Sequence, residues 1–275
     1  MRILVCLPTY QRVQFLPRGI ESVQSQTHRD WQLLVVDDGS TDGTQELVAR
    51  YARGDSRIMY SRSSSNENRG GVAANEVGMH TAISGSFDAW TRLGSDDWFL
   101  PRKLELDALA LQDAGACFGP YRNDPETYGG ELNVPMDARA ALLRGEFAAS
   151  WANIAMRTEV LAAVHARHGN FVDPRLRNME DYLFCVRAAR FTEFVWRGIT
   201  VDGRIVIGAR ESSSHWWTPD ARYTIGSDPV CCSNSAEGQR WGAKDAVLTE
   251  QIRGEDAAKN YPVAEIAPPA LRIIG

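Results

Sequence analysis

A near-continuous apolar run, Trp31 to Val36, stops at Asp37-Asp38, and a shorter β-rich run, Ala89 to Leu93, passes through Gly94-Ser95 into Asp96-Asp97. An apolar run without strict alternation fits a strand covered on both faces, as strands in parallel sheets are. The carboxylates should then emerge at strand C-terminal ends, the edge where open α/β sheets bind ligands. A third acidic pair, Glu180-Asp181, opens a segment to Arg190 that reads as helix, where acidic residues suit the positive end of the dipole. Carboxylates gathered there without an obvious basic partner point to a divalent cation, and a cation points to a phosphorylated substrate.

The rest of the first hundred residues alternates in the same sense. Residues 2 to 7 read as a strand bounded by Pro8, Leu16 to Gln24 as helix, Thr44 to Arg53 as helix, and Ile58 to Ser61 as a short strand. Ser61 to Gly71 is polar and Gly-ended, hence loop, and Val72 to Ile83 is helical. This alternation predicts an α/β fold: a Rossmann-like, mostly parallel sheet flanked by helices. After Pro101 the pattern is less regular. Lys103 to Asp113 reads as helix, Ala116 to Tyr121 as strand, and Tyr128 to Pro135 as a Gly-containing loop. Ala138 to Leu143 and Thr158 to Val164 read as short helices, Phe194 to Arg197 and Arg204 to Ile207 as strands. Beyond His215 the periodicity fades. The expected organisation is one domain over 1–230, divided into halves 1–100 and 101–230, with a C-terminal extension over 231–275.

Composition removes several function classes. With 275 residues, 44% hydrophobic and 24% charged, the chain has the makeup of a soluble globular protein, and its net charge of -5 argues against a broad nucleic-acid footprint. Five cysteines, with no C-x-x-C spacing, argue against a disulfide framework or a cysteine zinc site and predict a reducing cytoplasm. No run approaches the ~18 to 20 apolar residues needed to span a bilayer. The opening Met1 to Pro8 is too short for a signal-peptide core and reads as the first strand.

Six stretches, in order, resemble the family 2 glycosyltransferases of the GT-A fold. They are Leu7-Pro8-Thr9-Tyr10-Gln11-Arg12, Ser22 to Thr27, Val35 to Thr44, Asn68-Arg69-Gly70-Gly71 running on to Asn75, Leu93 to Pro101, and Phe171 to Arg187. The resemblance implies an enzyme that uses a nucleotide sugar, with UDP the leading nucleotide, and Mn2+ or Mg2+ as cofactor. It implies transfer to an acceptor hydroxyl with inversion. The acceptor stays open among a polysaccharide, a lipid carrier, a protein and a hydroxylated nucleobase.

The residues fit that implication unevenly. Pro8-Thr9-Tyr10 lies at the end of the first strand beside Asp38, where the Thr9 hydroxyl and backbone amides can hold a base edge and Tyr10 can cover its face. Arg12 is placed to reach a diphosphate or pair with an acidic neighbour. The resemblance assigns Asp37 and Asp38 to the base and ribose, Arg69 to a donor contact, Asp96 to the ribose and the metal, Asp97 to the metal, Asp181 to the general base, and Glu180 to its support or to an acceptor contact. It also makes His215 a candidate metal neighbour. Gly94 departs from the family, which carries an aspartate there. That departure keeps a catalytically inactive nucleotide-sugar-binding protein in view. A nucleotidyltransferase would need a Gly-rich phosphate loop after the first strand, and none follows it. An EF-hand loop begun at Asp38 would place Ala49 where a bidentate glutamate is needed.

Overall fold

The computed structural model describes residues 1–63, 70–119, 137–145, 154–176, 180–196, 199–201, 204–206, 215–217 and 236–259. Its centre is a seven-stranded sheet. The strands of its first half are β1 (Ile3–Thr9), β2 (Trp31–Asp37), β3 (Ile58–Arg62) and β4 (Ala89–Arg92). β5 (Asp97–Phe99) lies outside the sheet, and β6 (Ala116–Phe118), β7 (Ile154–Arg157) and β8 (Phe194–Trp196) complete it. The order is β3-β2-β1-β4-β7-β6-β8, parallel throughout except for β7, which runs against both β4 and β6.

Helices cover both faces because the strands bury both. Ile3, Val5 and Leu7 of β1 face a core shared with α1 (Leu16–Gln24), α2 (Thr44–Gly54) and α4 (Lys103–Ala110). Leu4 and Cys6 point the other way, into a core shared with α3 (Gly70–Ser84), α5 (Ala138–Arg144), α6 (Thr158–His168) and α7 (Glu180–Ala188). Alternation along a single strand thus assigns each helix to its layer.

β1 runs past the predicted stop at Pro8. Its odd residues bond towards β2, as in the Asp38 N–H donating to the Thr9 carbonyl at 3.0 Å, while Cys6 accepts from Leu93 on the β4 side. Pro8 therefore turns its missing donor towards β4, whose pairing has already ended at Cys6↔Arg92. No ladder bond is lost, and the strand reaches Thr9.

The C-terminal portion departs further from expectation. Short strands β9 (Ile199–Val201) and β10 (Arg204–Val206) form a hairpin, and β11 (His215–Trp217) pairs antiparallel with β5. Where periodicity fades, a 22-residue helix follows, α8 (Ala236–Ala257). Its described side chains include few apolar anchors: Ile252 joins Leu176 and Leu183, with Leu248 alongside. Ion pairs and a hydrogen bond also tie it down. Asp256 accepts from Arg187 Nε at 2.8 Å, Glu255 pairs with Arg175 at 2.9 Å, and Arg253 donates to the Leu143 carbonyl at 3.0 Å. A helix held this way shows no apolar stripe to read. No helix among the described residues is long and apolar enough to cross a membrane.

Candidate active site

The β1, β2 and β4 ends carry three loops that meet at one sheet edge. Asp37 ends β2 fully buried, and both its carboxylate oxygens are engaged within the chain. Oδ1 accepts from the Ser40 backbone at 2.8 Å and its hydroxyl at 2.6 Å, and Oδ2 accepts from the Tyr60 hydroxyl at 2.5 Å. Burial, then the bond to Asp37, pushes the Tyr60 phenol well above its ordinary value. Asp37 is thus a brace for the loop that follows it. Asp42 braces the same loop at its far end, where Oδ2 accepts from the Val13 backbone at 2.8 Å and Oδ1 accepts from the Thr44 hydroxyl at 2.7 Å at the start of α2.

Thr9 is buried at the end of β1, and its hydroxyl has no hydrogen-bond partner among the described residues. A buried, unsatisfied hydroxyl costs free energy unless a ligand or water meets it. Asp38 is buried beside it, tied through its backbone to Thr9. Tyr10 follows, partly buried, and Pro8 precedes within the strand, opposite Val36.

The second acidic pair does have basic neighbours, contrary to the sequence reading. Arg12 Nη1 donates to Asp96 Oδ2 at 3.0 Å and to Ser95 Oγ at 3.4 Å, taking the second of the two roles open to it. Arg92, whose Nε donates to Asn75 Oδ1 at 3.1 Å, acts electrostatically on Asp97. Sequence reasoning passed over Arg92, although a cation at the end of a strand leading into an acidic loop was a usable signal. Asp97 is buried. Its carboxyl is raised well above the ordinary range by burial first and by the charge of Asp96 second, with Arg92 and Arg12 pulling the other way.

Gly94 has a local reason. A Cβ there would collide with Asp97 Oδ2 and stand 3.3 Å from Asp96 Oδ1. The bare backbone lets the Asp97 carboxylate fold back over the turn closed by the Asp97 N–H to Gly94 carbonyl bond at 3.1 Å. Any side chain at this position displaces that carboxylate. His215 belongs to β11, where it pairs with Phe99, two positions from the Trp217↔Asp97 pair. Arg69 lies outside the described residues, while the helix it precedes begins at Gly70.

Glu180 and Asp181 open α7, whose direction follows from its exit. Thr192, just past the helix, accepts from the Gly115 N–H at 2.9 Å, and Gly115 precedes the start of β6. β6 runs parallel to β4 through the shared neighbour β7. The C-terminal end of α7 thus lies at the strand-start edge, and Glu180-Asp181 lie towards the edge carrying Asp96 and Asp97. Asp181 Oδ1 accepts from the Tyr182 N–H at 2.8 Å. Upstream of α7, Glu76 of α3 accepts from the backbones of Phe171 and Val172 at 2.9 and 2.8 Å.

Among the described residues, no group of three or more His, Cys, Asp or Glu side chains is arranged to hold a metal. Asp96 and Asp97 provide two carboxylates. A pair of carboxylates completed by substrate phosphates is the usual donor set for Mg2+, and the residues present fit that pattern.

Comparison with known proteins agrees with this architecture. Residues 4–162 match the model of a family described as Glycosyl transferase family 2. An uncharacterized glycosyltransferase of Rickettsia conorii is 36% identical over 117 residues, 42% of this chain and 18% of the relative. Glycosyltransferase GlyA of Streptococcus pneumoniae is 34% identical over 130 residues, 46% of this chain and 18% of the relative. The matched stretches thus span under a fifth of either relative. Among solved structures, TarS of S. aureus in complex with UDP-GlcNAc superposes with a TM-score of 0.59 at 16% identity, covering 94% of this chain and 72% of that one. A mannosyltransferase of Pyrobaculum calidifontis in complex with GDP-Man and Mn2+ gives 0.53 at 16% identity, covering 93% and 84%. The shared architecture is GT-A.

Proposed function

The chain belongs to glycosyl transferase family 2, and from that premise we propose that it moves a sugar from a nucleotide-sugar donor to an acceptor hydroxyl with inversion. The observation that carries the reading is the buried Thr9 hydroxyl, unsatisfied among the described residues, at the strand end next to Asp38. It suits a base edge, with Tyr10 over the ring face and Asp38 beside it. Complexes of similar folds with UDP-GlcNAc and GDP-Man support a nucleotide-sugar donor. UDP is the leading nucleotide and GDP the alternative.

Arg12 and Asp96 stand together where diphosphate and ribose belong, and Arg69 is a further donor contact. Asp96 and Asp97 would hold Mn2+ or Mg2+, with His215 as a neighbour. When bound, the ion supplies charge neutralisation for the departing diphosphate. Asp181 takes the proton of the acceptor hydroxyl as that oxygen attacks the anomeric carbon. The bond from that carbon to the diphosphate oxygen breaks on the opposite face, and Glu180 supports the base. Residues 1–100 serve the donor and 101–230 the acceptor. The buried cysteines Cys6, Cys117 and Cys185, none of them in a disulfide, suit a reducing, cytoplasmic setting.

The test is a panel of nucleotide sugars, screened by thermal shift with Mn2+ and followed by donor hydrolysis. A donor that raises the melting midpoint and is consumed supports transfer, since ligand binding stabilises by mass action. Binding without consumption under any acceptor mixture favours the inactive binding protein that Gly94 keeps in view. A panel in which no nucleotide sugar shifts the midpoint rejects the reading.

A further inference from the structure

Gln11 is, among the described residues, the one non-glycine with positive φ, at 52°. A side chain that is neither Asn nor Asp adopts the left-handed region rarely and at a cost, so something must hold it there. Three bonds do. The Gln11 backbone N–H donates to Ser40 Oγ at 2.9 Å, its Nε2 donates to Thr41 Oγ1 at 3.0 Å, and its Oε1 accepts from the Thr41 backbone at 3.3 Å. Ser40 Oγ in turn donates to Asp37 Oδ1 at 2.6 Å, and the Ser40 carbonyl accepts from Arg62 at 2.9 Å. The amide is therefore a two-point clamp between the loop after β1 and the loop after β2. Its position between Tyr10 and Arg12 matters, because the left-handed turn sets how the chain departs on either side. On one side are Thr9 and Tyr10; on the other is Arg12, bonded to Asp96.

We propose that Gln11 is a positioning residue for the donor, holding Thr9-Tyr10 and Arg12 in binding geometry through its clamp on Ser40 and Thr41. It touches no reacting atom. The role rests on the nucleotide-sugar reading above and deepens it. A site whose loops are already locked loses less freedom when the ligand binds, so its affinity is higher than its contacts alone would give.

The experiment uses the full chain, with UDP and GDP as probes and Mn2+ present, measured by calorimetry. Gln11→Gly accepts the left-handed conformation without steric cost; it keeps the backbone N–H bond to Ser40 and removes only the two side-chain bonds to Thr41. It should keep a thermal midpoint within about 3 °C of wild type while weakening nucleotide binding about tenfold or more. Thr41→Ala removes one clamp partner from the other loop and should weaken binding in the same direction. Thr41→Ser keeps both the backbone and the hydroxyl and should restore wild-type affinity, which distinguishes positioning from general packing. If Gln11→Gly does not fold, the Thr41 pair decides alone. Wild-type affinity in Gln11→Gly or in Thr41→Ala overturns the clamp and leaves the donor reading standing. Failure of the wild-type chain to bind either nucleotide overturns the donor reading, and this role with it.

Discussion

Lys103 and Asp107, one turn apart on α4, are both fully buried, with Nζ and Oδ2 2.5 Å apart. Lys103 also bonds the Thr91 hydroxyl on β4 and sits 4.3 Å from the centre of the Phe99 ring, while the Cys117 thiol donates to Asp107 at 3.7 Å. This network lies under the strand that leads into Asp96-Asp97. Removing one partner of a buried pair costs about 3 to 5 kcal/mol, because the other charge is stranded. A ceiling follows from proton chemistry. The lysine stranded by Asp107→Leu can be neutralised at pH 7 for about 4.6 kcal/mol, from an ordinary value of about 10.4 and ~1.36 kcal/mol per pH unit. The carboxyl stranded by Lys103→Met can be neutralised for about 4.2 kcal/mol on the same arithmetic.

The two single variants must then respond to pH in opposite ways. In Asp107→Leu the unfolded chain holds the extra proton, so stability recovers as pH rises. In Lys103→Met the folded chain holds it, so stability recovers as pH falls. The double variant Lys103→Met/Asp107→Leu strands nothing and should stand within about 1 to 2 kcal/mol of wild type, with no added pH slope. Urea unfolding at pH 5, 7 and 9 measures all four proteins. Singles that cost under ~1 kcal/mol at pH 7, or that share one pH slope, refute the stranded-charge account.

Three further outcomes are expected. Asp181→Asn keeps the acceptor for the Tyr182 N–H, so folding and donor binding should hold while turnover falls about 10² to 10⁴-fold; transfer at the wild-type rate would reduce Asp181 to a helix cap. Asp97→Asn should bind UDP equally with Mn2+ and with chelator, and calorimetry showing a persisting Mn2+ enhancement would remove Asp97 from the metal set. Burial alone would raise the Asp256 carboxyl, but bonds from His168, Arg187 and Lys259 outweigh it and hold it well below its ordinary range, while burial lowers His168 despite its bond to Asp256. The unfolded chain binds protons more readily at both groups, so their contributions should fade below about pH 6.5 for His168 and about pH 4 for Asp256; an acid unfolding limb unchanged in Asp256→Asn would contradict this.

How much of this was legible depended on the kind of force involved. Helix α1 falls on its predicted residues because Leu16, Ile20 and Val23 form a clean buried stripe. β5, β7 and β11 are three or four residues long, too short to carry a period, and none was foreseen. α8 escaped because charge pairs hold much of it. At the site, the aspartates stood out by their placement after strands. Their partners did not: Arg12 meets Asp96 across 84 positions and Gln11 meets Thr41 across 30, separations that no local pattern encodes. Gly94 looked like a loss in the sequence, yet its missing Cβ is space that Asp97 uses.

The two acidic pairs look alike in the sequence and are used differently in the fold. In the first, Asp37 is committed to Ser40 and Tyr60, and it shapes the loop from which Gln11 is held. In the second, Asp96 is held by Arg12, one residue beyond Gln11. A single short segment, residues 10 to 13, is therefore tied to both acidic loops. It meets Ser40, Thr41 and Asp42 through Gln11 and Val13, and Asp96 through Arg12. Bonds that share one rigid tether are not independent, and changes among connected residues depart from additivity. One connected path of bonds thus runs from Asp37 through Ser40 to Gln11, and the next residue, Arg12, carries it to Asp96; non-additive effects of Asp37 and Arg12 substitutions on donor affinity, read in a double-mutant cycle, are the expected outcome, and additive ones would refute it.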